Sequence, residues 1–123
     1  IAQAYLPGVA AGDKRVLLFD GEPVGALLRV PGKEDHRANL HVGATAHAAT
    51  LDARDLEICA AIGPALKKHG LVFVGIDVIA GMLTEINVTS PTGLRAIAQL
   101  DGRHLEYELL DVIEAKVRAR RAA

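Results

Sequence analysis

Residues 71–88 read LVFVGIDVIAGMLTEINV, and this stretch decides the fold. Residues 71–79 are apolar at every position except Gly75 and Asp77, a pattern typical of a strand that is covered on both faces. Ala80-Gly81 is a turn signal, and residues 83–88 then bring polar side chains in among apolar ones. We therefore predict that these two segments form a hairpin at the core.

A second pair of aliphatic runs precedes this hairpin. Residues 14–20 and 23–30 flank Gly21-Glu22 and predict another antiparallel hairpin. Residues 31–50 break the pattern with glycine, polar residues and histidines, so we expect a long loop there that acts as a lid. The spacings of its histidines match no familiar metal site, and we expect all three to be solvated: His36, His41 and His47.

Helical periodicity appears in three segments. Apolar residues recur every three or four positions in residues 52–69, which predicts a helix that begins at Asp52 and ends before Gly70. Pro64 lies inside this segment and predicts a kink. Two further helices are expected at residues 94–99 and 105–119.

Composition excludes several classes of function. The 123 residues, half of them apolar, suffice for one modest core. With 14 basic and 15 acidic side chains, the chain gives no electrostatic argument for binding nucleic acid or an anionic membrane. Its longest apolar stretch is too short to cross a bilayer. A single cysteine, Cys59, rules out an internal disulfide framework and fits a reducing cytoplasm.

Asp77 is the residue least expected in so apolar a strand. A buried, unpaired carboxylate costs several kcal/mol, so Asp77 needs a cation, a basic partner or a chain end. Glu85 and Asn87 are two residues apart, so both point to one face of the next strand. We predict an odd loop length, which sets Asp77 across from Glu85. These oxygen ligands suit Mg²⁺, while a simple ion pair with lysine or arginine is the alternative.

The same region resembles the C-terminal motif block of the prokaryotic glutathione synthetases. Residues 73–79 (FVGIDVI) match that block, and the run TEINVTSPTG at residues 84–93 is highly specific to it. Four further matches keep the family's order: residues 2–7, 12–16, 20–24 and 37–40. The resemblance implies that residues 1–123 are the C-terminal part of an ATP-grasp catalytic domain. It also implies an α+β fold, that of the C-terminal ATP-grasp lobe, which is mainly an antiparallel sheet with helices packed on it.

The resemblance also implies an activity and its cofactors. The complete enzyme would join γ-glutamylcysteine to glycine through an acyl phosphate, giving glutathione, ADP and phosphate. ATP would be the co-substrate, and Mg²⁺, with Mn²⁺ as the alternative ion, the cofactor. By this resemblance the metal ligands are Asp77, Glu85 and Asn87, the catalytic arginines Arg15 and Arg29, the ATP-binding residues Gln3, Tyr5, Leu6 and Asp13, and the substrate-binding residues Ser90, Thr92 and Gly93.

Two other functions remain open at this point. A related ATP-grasp ligase with another amine acceptor would share the metal ligands. A non-catalytic α/β scaffold would keep the strand motif only for packing, and would bind neither magnesium nor nucleotide. We expect the N-terminal substrate domain and the other ATP-grasp lobe to lie outside this chain, so that the chain alone is inactive. Self-association is left open.

Overall fold

A computed structural model describes residues 2, 4–32 and 45–122, without the side chains of residues 9 and 10. Its centre is a five-stranded sheet in the order β3-β2-β1-β4-β5, in which every neighbouring pair is antiparallel. In chain order the elements are a 3-10 helix (Pro7–Ala11), β1 (Asp13–Phe19), β2 (Glu22–Val30), β3 (Thr45–Ala49), α1 (Ala53–Lys68), β4 (Phe73–Ile79), β5 (Met82–Asn87), α2 (Leu94–Asp101) and α3 (Leu105–Ala122). The predicted α+β class, with an antiparallel sheet, is confirmed.

The sheet carries a separate apolar core on each face. Successive side chains of β1 point to opposite faces, as in any strand. Val16 and Leu18 therefore pack with Ile58 and other residues of α1 on one face. Leu17 and Phe19 form the second core, whose remaining buried members come from β2, α2 and α3: Leu27, Ile97 and Leu105. Because helices cover both faces, the whole of β1 from residue 15 to 19 is buried.

Both hairpins close through two-residue turns in which each residue has a positive φ. The angles are 50° and 80° at Asp20 and Gly21, and 50° and 75° at Ala80 and Gly81. Turns of this backbone type match the right-handed twist of the strands that they join. The odd loop length predicted between β4 and β5 is therefore wrong.

The predicted long loop at residues 31–50 is also wrong in part, because residues 45–49 form strand β3. β3 pairs with β2 at the edge of the sheet. Its sequence, TAHAA, consists of small and polar residues, so it lacks the apolar signal by which a strand is recognised. His47 lies in this strand, with Nε2 2.8 Å from Thr45 Oγ1. The lid prediction for residues 33–44, with His36 and His41, lies outside the described residues.

The predicted first helix is confirmed, and a buried ion pair ties it to the sheet. Asp52 is its N-cap and forms a capping box with Asp55. Lys14, which points to the α1 face of β1, places Nζ 2.6 Å from Asp55 Oδ2 and 3.2 Å from Asp52 Oδ2. Pro64 lies within the helix, while the predicted kink stays a prediction. α1 is therefore fixed at its first turn next to the start of β1.

The other helices run two to three residues beyond their predicted ends. α2 continues to Asp101, where Gly102 ends it with a φ of 63°, and α3 continues to Ala122. Within the described part of the chain, no helix is both long enough and apolar enough to span a bilayer.

Gly63 tests the packing of α1 on the first hairpin. A Cβ on Gly63 would lie 2.7 Å from Gly21 O. We expect Gly63→Ala to destabilise the protein by about 1–3 kcal/mol because of this overlap, although alanine favours a helix interior by about 1 kcal/mol. Urea unfolding measures the change. The control is Ala61→Gly at an exposed position of the same helix, which should lose about 1 kcal/mol. A stabilised Gly63→Ala would contradict the close packing.

Candidate active site

The face of the sheet that carries α2 and α3 is apolar at one end and charged at the other. α2 and α3 pack against Leu17, Phe19 and Leu27. Further along the same face lie the residues that we call the charged cluster: Asp13, Arg15, Arg29, Asp77 and Glu85. Strand alternation explains their common orientation. Asp13 and Arg15 lie an even number of residues from Leu17 on β1, and Arg29 lies two residues from Leu27 on β2. Asp77 pairs directly with Arg15, and Glu85 pairs directly with Asp77.

A β-bulge produces the predicted pairing of Asp77 with Glu85. Val78 pairs with Leu83, but Asp77 pairs with Glu85, so Thr84 is an extra residue on β5. The Thr84 hydroxyl donates to the Asp77 carbonyl oxygen at 3.1 Å. The two carboxylates thus lie on adjacent strands at the same level of the sheet. The predicted register is confirmed, although a bulge and not an odd loop creates it.

Asp77 is held by two arginines. Arg15 lies directly opposite it on β1 and donates from Nε to Oδ1 at 2.5 Å and from Nη2 to Oδ2 at 2.9 Å. Arg29 on β2 places Nη2 3.1 Å from the same Oδ1 and donates from Nε to Asp13 Oδ1 at 2.6 Å. The side chains of Arg15 and Asp77 are only 5% and 8% exposed. Positive and negative side chains therefore alternate across β2, β1 and β4, and they are largely shielded from water.

The protonation of these carboxyl groups follows from their surroundings. Burial alone would raise the pKa of Asp77, but the hydrogen bonds and charges of Arg15 and Arg29 outweigh burial and hold this pKa below its usual value. The hydrogen bond between Glu85 and Asp77 raises the pKa of Glu85, and burial and the Asp77 charge raise it further. Burial also raises the pKa of Asp13, because the pairing with Arg29 offsets it only in part. The Asp77 charge therefore repels a Glu85 carboxylate, and the charges of Arg15 and Arg29 offset that repulsion only in part.

This donor set fits a hard divalent cation that takes further ligands from elsewhere. A carboxylate has about four lone-pair sites; the arginines use both sites on Asp77 Oδ1 and one on Oδ2, and the remaining site is the one left for the hydrogen bond with Glu85. Glu85 is exposed, and Asn87 follows it on the same face, opposite Gly75. In the described part of the chain, no three His, Cys, Asp or Glu side chains could hold a metal by themselves. Mg²⁺ suits such a partial set, because it keeps positions for water and phosphate oxygens.

The segment of residues 89–93 packs directly on the charged cluster. Arg15 Nη1 donates to the Thr92 carbonyl at 3.0 Å and to Thr92 Oγ1 at 3.3 Å. Pro91 is buried, whereas Ser90 is exposed and has a φ of 48°. Gly93 has a φ of 114° and is the N-cap of α2. The three predicted substrate-binding residues are thus brought next to the predicted metal ligands.

The predicted ATP-binding residues are only partly located. Asp13 belongs to the charged cluster, where its carboxylate contacts Arg29. Tyr5 is exposed and Leu6 half-buried in the segment before the 3-10 helix, and Gln3 lies outside the described residues. Their contact with the nucleotide stays a prediction.

Sequence reasoning missed the links among these residues. The Asp13–Arg29 pair, the bulge at Thr84 and the bond from Arg15 to Thr92 were not expected. Alternation alone would have put Arg29 on the wrong face, because the two-residue turn pairs Phe19 with Glu22. A second bulge leaves Val24 as an extra residue on β2, so that Leu17 pairs with Gly25 and Asp13 with Arg29. No local signal reveals either bulge, because both depend on how two strands pair.

Comparison with known sequences identifies the family. The family model for the ATP-grasp domain of prokaryotic glutathione synthetase matches residues 1–102. The glutathione synthetases of Brucella melitensis and Agrobacterium fabrum are each 55% identical over 116 residues, which are 94% of this chain. That of Synechococcus elongatus is 50% identical over 117 residues. The chain spans 36–37% of the length of these relatives.

Comparison with solved structures agrees on the fold. The ATP-grasp ligase PsnB in complex with a minimal precursor superposes with a TM-score of 0.61 at 22% identity, over 94% of this chain and 37% of that one. D-alanine–D-alanine ligase from Bacillus anthracis in complex with ATP gives a TM-score of 0.58 at 22% identity, over 96% and 41%. Identities this low support the fold alone. The family match, together with the 55% identical relatives, shows that this chain belongs to the prokaryotic glutathione synthetases, and residues 1–102 match their ATP-grasp domain.

Proposed function

We propose that this chain supplies the metal-binding and phosphate-binding part of a glutathione synthetase. The complete enzyme would use ATP to join γ-glutamylcysteine to glycine. Identities of 50–56% over most of the chain to proteins named glutathione synthetase support this assignment. The alternative is an ATP-grasp ligase that uses another amine. Ligases of that kind share the fold, but those compared above are only 22% identical to this chain.

The observation that carries the proposal is the charged cluster itself. Two arginines and three carboxylates from four antiparallel strands meet at one end of one sheet face, next to residues 89–93. Burial of this many charges is costly and is seldom retained for stability alone. A scaffold would have no need of a carboxylate, Glu85, placed against a second carboxylate.

The chemistry requires charge stabilisation more than a nucleophilic side chain. The γ-phosphoryl group of ATP passes to the carboxylate of γ-glutamylcysteine, which gives ADP and an acyl phosphate. The glycine amine then attacks the carbonyl carbon, the carbon–oxygen bond to phosphate breaks, and the amine loses a proton. Mg²⁺, when bound, would neutralise phosphate charge.

The residues of this chain would hold and neutralise the reacting groups. Arg29, whose side chain is 14% exposed, is the cation of the cluster best placed to meet a phosphoryl group, with Arg15 behind it. Asp77 orients both guanidinium groups. Glu85 and Asn87 would hold the metal, and the last lone pair of Asp77, which accepts from Glu85 in this structure, would join them once Glu85 is deprotonated. The Ser90 hydroxyl and the backbone N–H groups near Gly93 would donate hydrogen bonds to a substrate carboxylate.

The remaining partners belong to the complete enzyme. Tyr5 and Leu6 precede the 3-10 helix and, with Gln3, are proposed to line the adenine site. The other ATP-grasp lobe and the N-terminal domain would close the site over ATP and γ-glutamylcysteine. The single cysteine favours a cytoplasmic enzyme.

Two carboxylate variants should affect stability in opposite ways while both abolish ligation. Asp77→Asn leaves two buried guanidinium groups short of a counter-charge, and should destabilise the protein by about 3–5 kcal/mol. Glu85→Gln removes the repulsion with Asp77, so the free energy of unfolding should be unchanged or higher. Urea unfolding without metal, together with ligation rates, measures both effects.

The matched control is Glu57→Gln, an exposed residue of α1 that pairs only with Arg54 among the contacts described. It should change stability by less than about 0.5 kcal/mol and leave ligation intact. Equal destabilisation by Asp77→Asn and Glu85→Gln would contradict the proposed division of roles.

Substrate assignment is tested on the full-length enzyme. Phosphate release from ATP with γ-glutamylcysteine should require glycine, and the peptide product should be glutathione. Release that depends on a different amine would retain the ATP-grasp mechanism and reject glutathione synthesis. Absence of release with every amine of a panel would favour the scaffold.

A further inference from the structure

Arg15 contacts protein groups on two sides at once. Nε and Nη2 donate to the Asp77 carboxylate, while Nη1 donates to the Thr92 carbonyl and hydroxyl oxygens. The guanidinium plane is rigid, so these acceptors are held in one fixed arrangement. A residue predicted to bind metal and a segment predicted to bind substrate thus share one arginine.

The stem of Arg15 runs through a narrow space that glycines create. A Cβ on Gly75 would lie 2.8 Å from Pro91 Cβ and 3.2 Å from Arg15 Cδ. A Cβ on Gly93 would lie 3.4 Å from Arg15 Cγ. Pro91 is buried over Gly75, which is opposite Asn87 on β5 and Leu17 on β1. Pro91 can approach β4 this closely only because Gly75 has no side chain.

We propose that Thr92 and Gly75 are positioning residues that act through Arg15. Gly75 leaves room for the Arg15 stem and Pro91, and Thr92 accepts from Arg15 Nη1, so that residues 89–93 are held in register with Asp77. Residues 89–93, which are proposed to bind substrate, and the Asp77 carboxylate, which is proposed to bind the metal, then behave as one rigid unit. This inference rests on the proposed function for its choice of substrates, and it assigns the Thr92 hydroxyl to Arg15 and not to a substrate carboxylate.

A double-mutant cycle in the full-length enzyme tests the role of Thr92. Thr92→Val keeps the shape of the side chain and the carbonyl acceptor but removes the hydroxyl acceptor, and Arg15→Lys keeps the positive charge but loses the fork. Backbone hydrogen exchange of residues 89–93 reports the order of the segment without any reaction. The KM values for γ-glutamylcysteine and glycine report substrate positioning, and kcat reports the chemical step.

Thr92→Val should speed exchange in residues 89–93 and raise a substrate KM by about fivefold to tenfold, as expected for loss of one typical hydrogen bond while the bond to the Thr92 carbonyl remains. Thr92→Ser should restore both values. In the Arg15→Lys background, Thr92→Val should add less than about twofold, because the two changes break the same link. Thr50→Val, an exposed position outside residues 89–93 and outside the charged cluster, is the control and should behave as wild type.

Three results would overturn the proposal. Equal effects of Thr92→Val in both backgrounds would show that the hydroxyl acts independently of Arg15. A raised KM with unchanged hydrogen exchange would show direct contact with substrate. No change in either quantity would show that the bond does not hold the segment. If wild-type enzyme fails to make glutathione, the proposed function is wrong, and hydrogen exchange still decides the positioning claim.

Gly75→Ala is an independent test, because it leaves every hydrogen-bonding group in place. The added methyl group should displace Pro91 and speed exchange in residues 89–93, without removing any donor or acceptor. A folded Gly75→Ala protein with wild-type exchange would contradict the proposed role of Gly75.

Discussion

A buried carboxylate between two arginines is the constraint on which this structure depends. Asp77 stands in an otherwise apolar strand, where an uncompensated charge would not be tolerated. Arg15 and Arg29 can reach it only because β1 lies between β2 and β4 and all three strands are antiparallel in a fixed register. The order of strands in the sheet and the composition of the site therefore follow from the same electrostatic requirement.

The start of β1 connects the two faces of the sheet. Three consecutive charged residues point alternately: Asp13 and Arg15 enter the charged cluster, and Lys14 reaches the first turn of α1. A shift of one residue in β1 would exchange these partners and bury unpaired charges on both sides. The ion pairs thus add specificity of register to a sheet whose stability comes mainly from its two apolar cores.

Much of this could be predicted from the chain, because the relevant signals are local. Apolar runs, a capping residue and helical spacing located β1, β2, β4, β5 and the three helices. Small residues concealed β3, and the bulge at Thr84 arose from strand pairing, which no single segment encodes. The resemblance named the site residues, but it did not reveal that Arg15 joins Asp77 to Thr92. Such contacts depend on side-chain packing across strands that are distant in sequence.

The central claim is that Asp77 orients the arginines while Glu85 provides the main carboxylate for the metal. Anomalous diffraction from crystals of the full-length enzyme with Mn²⁺ and a non-hydrolysable ATP analogue tests it most directly. We predict that a Glu85 oxygen coordinates Mn²⁺ directly, with Nε and Nη2 of Arg15 still donating to the Asp77 carboxylate. Mn²⁺ bound without Glu85, or an Asp77 carboxylate released from both arginines, would contradict it.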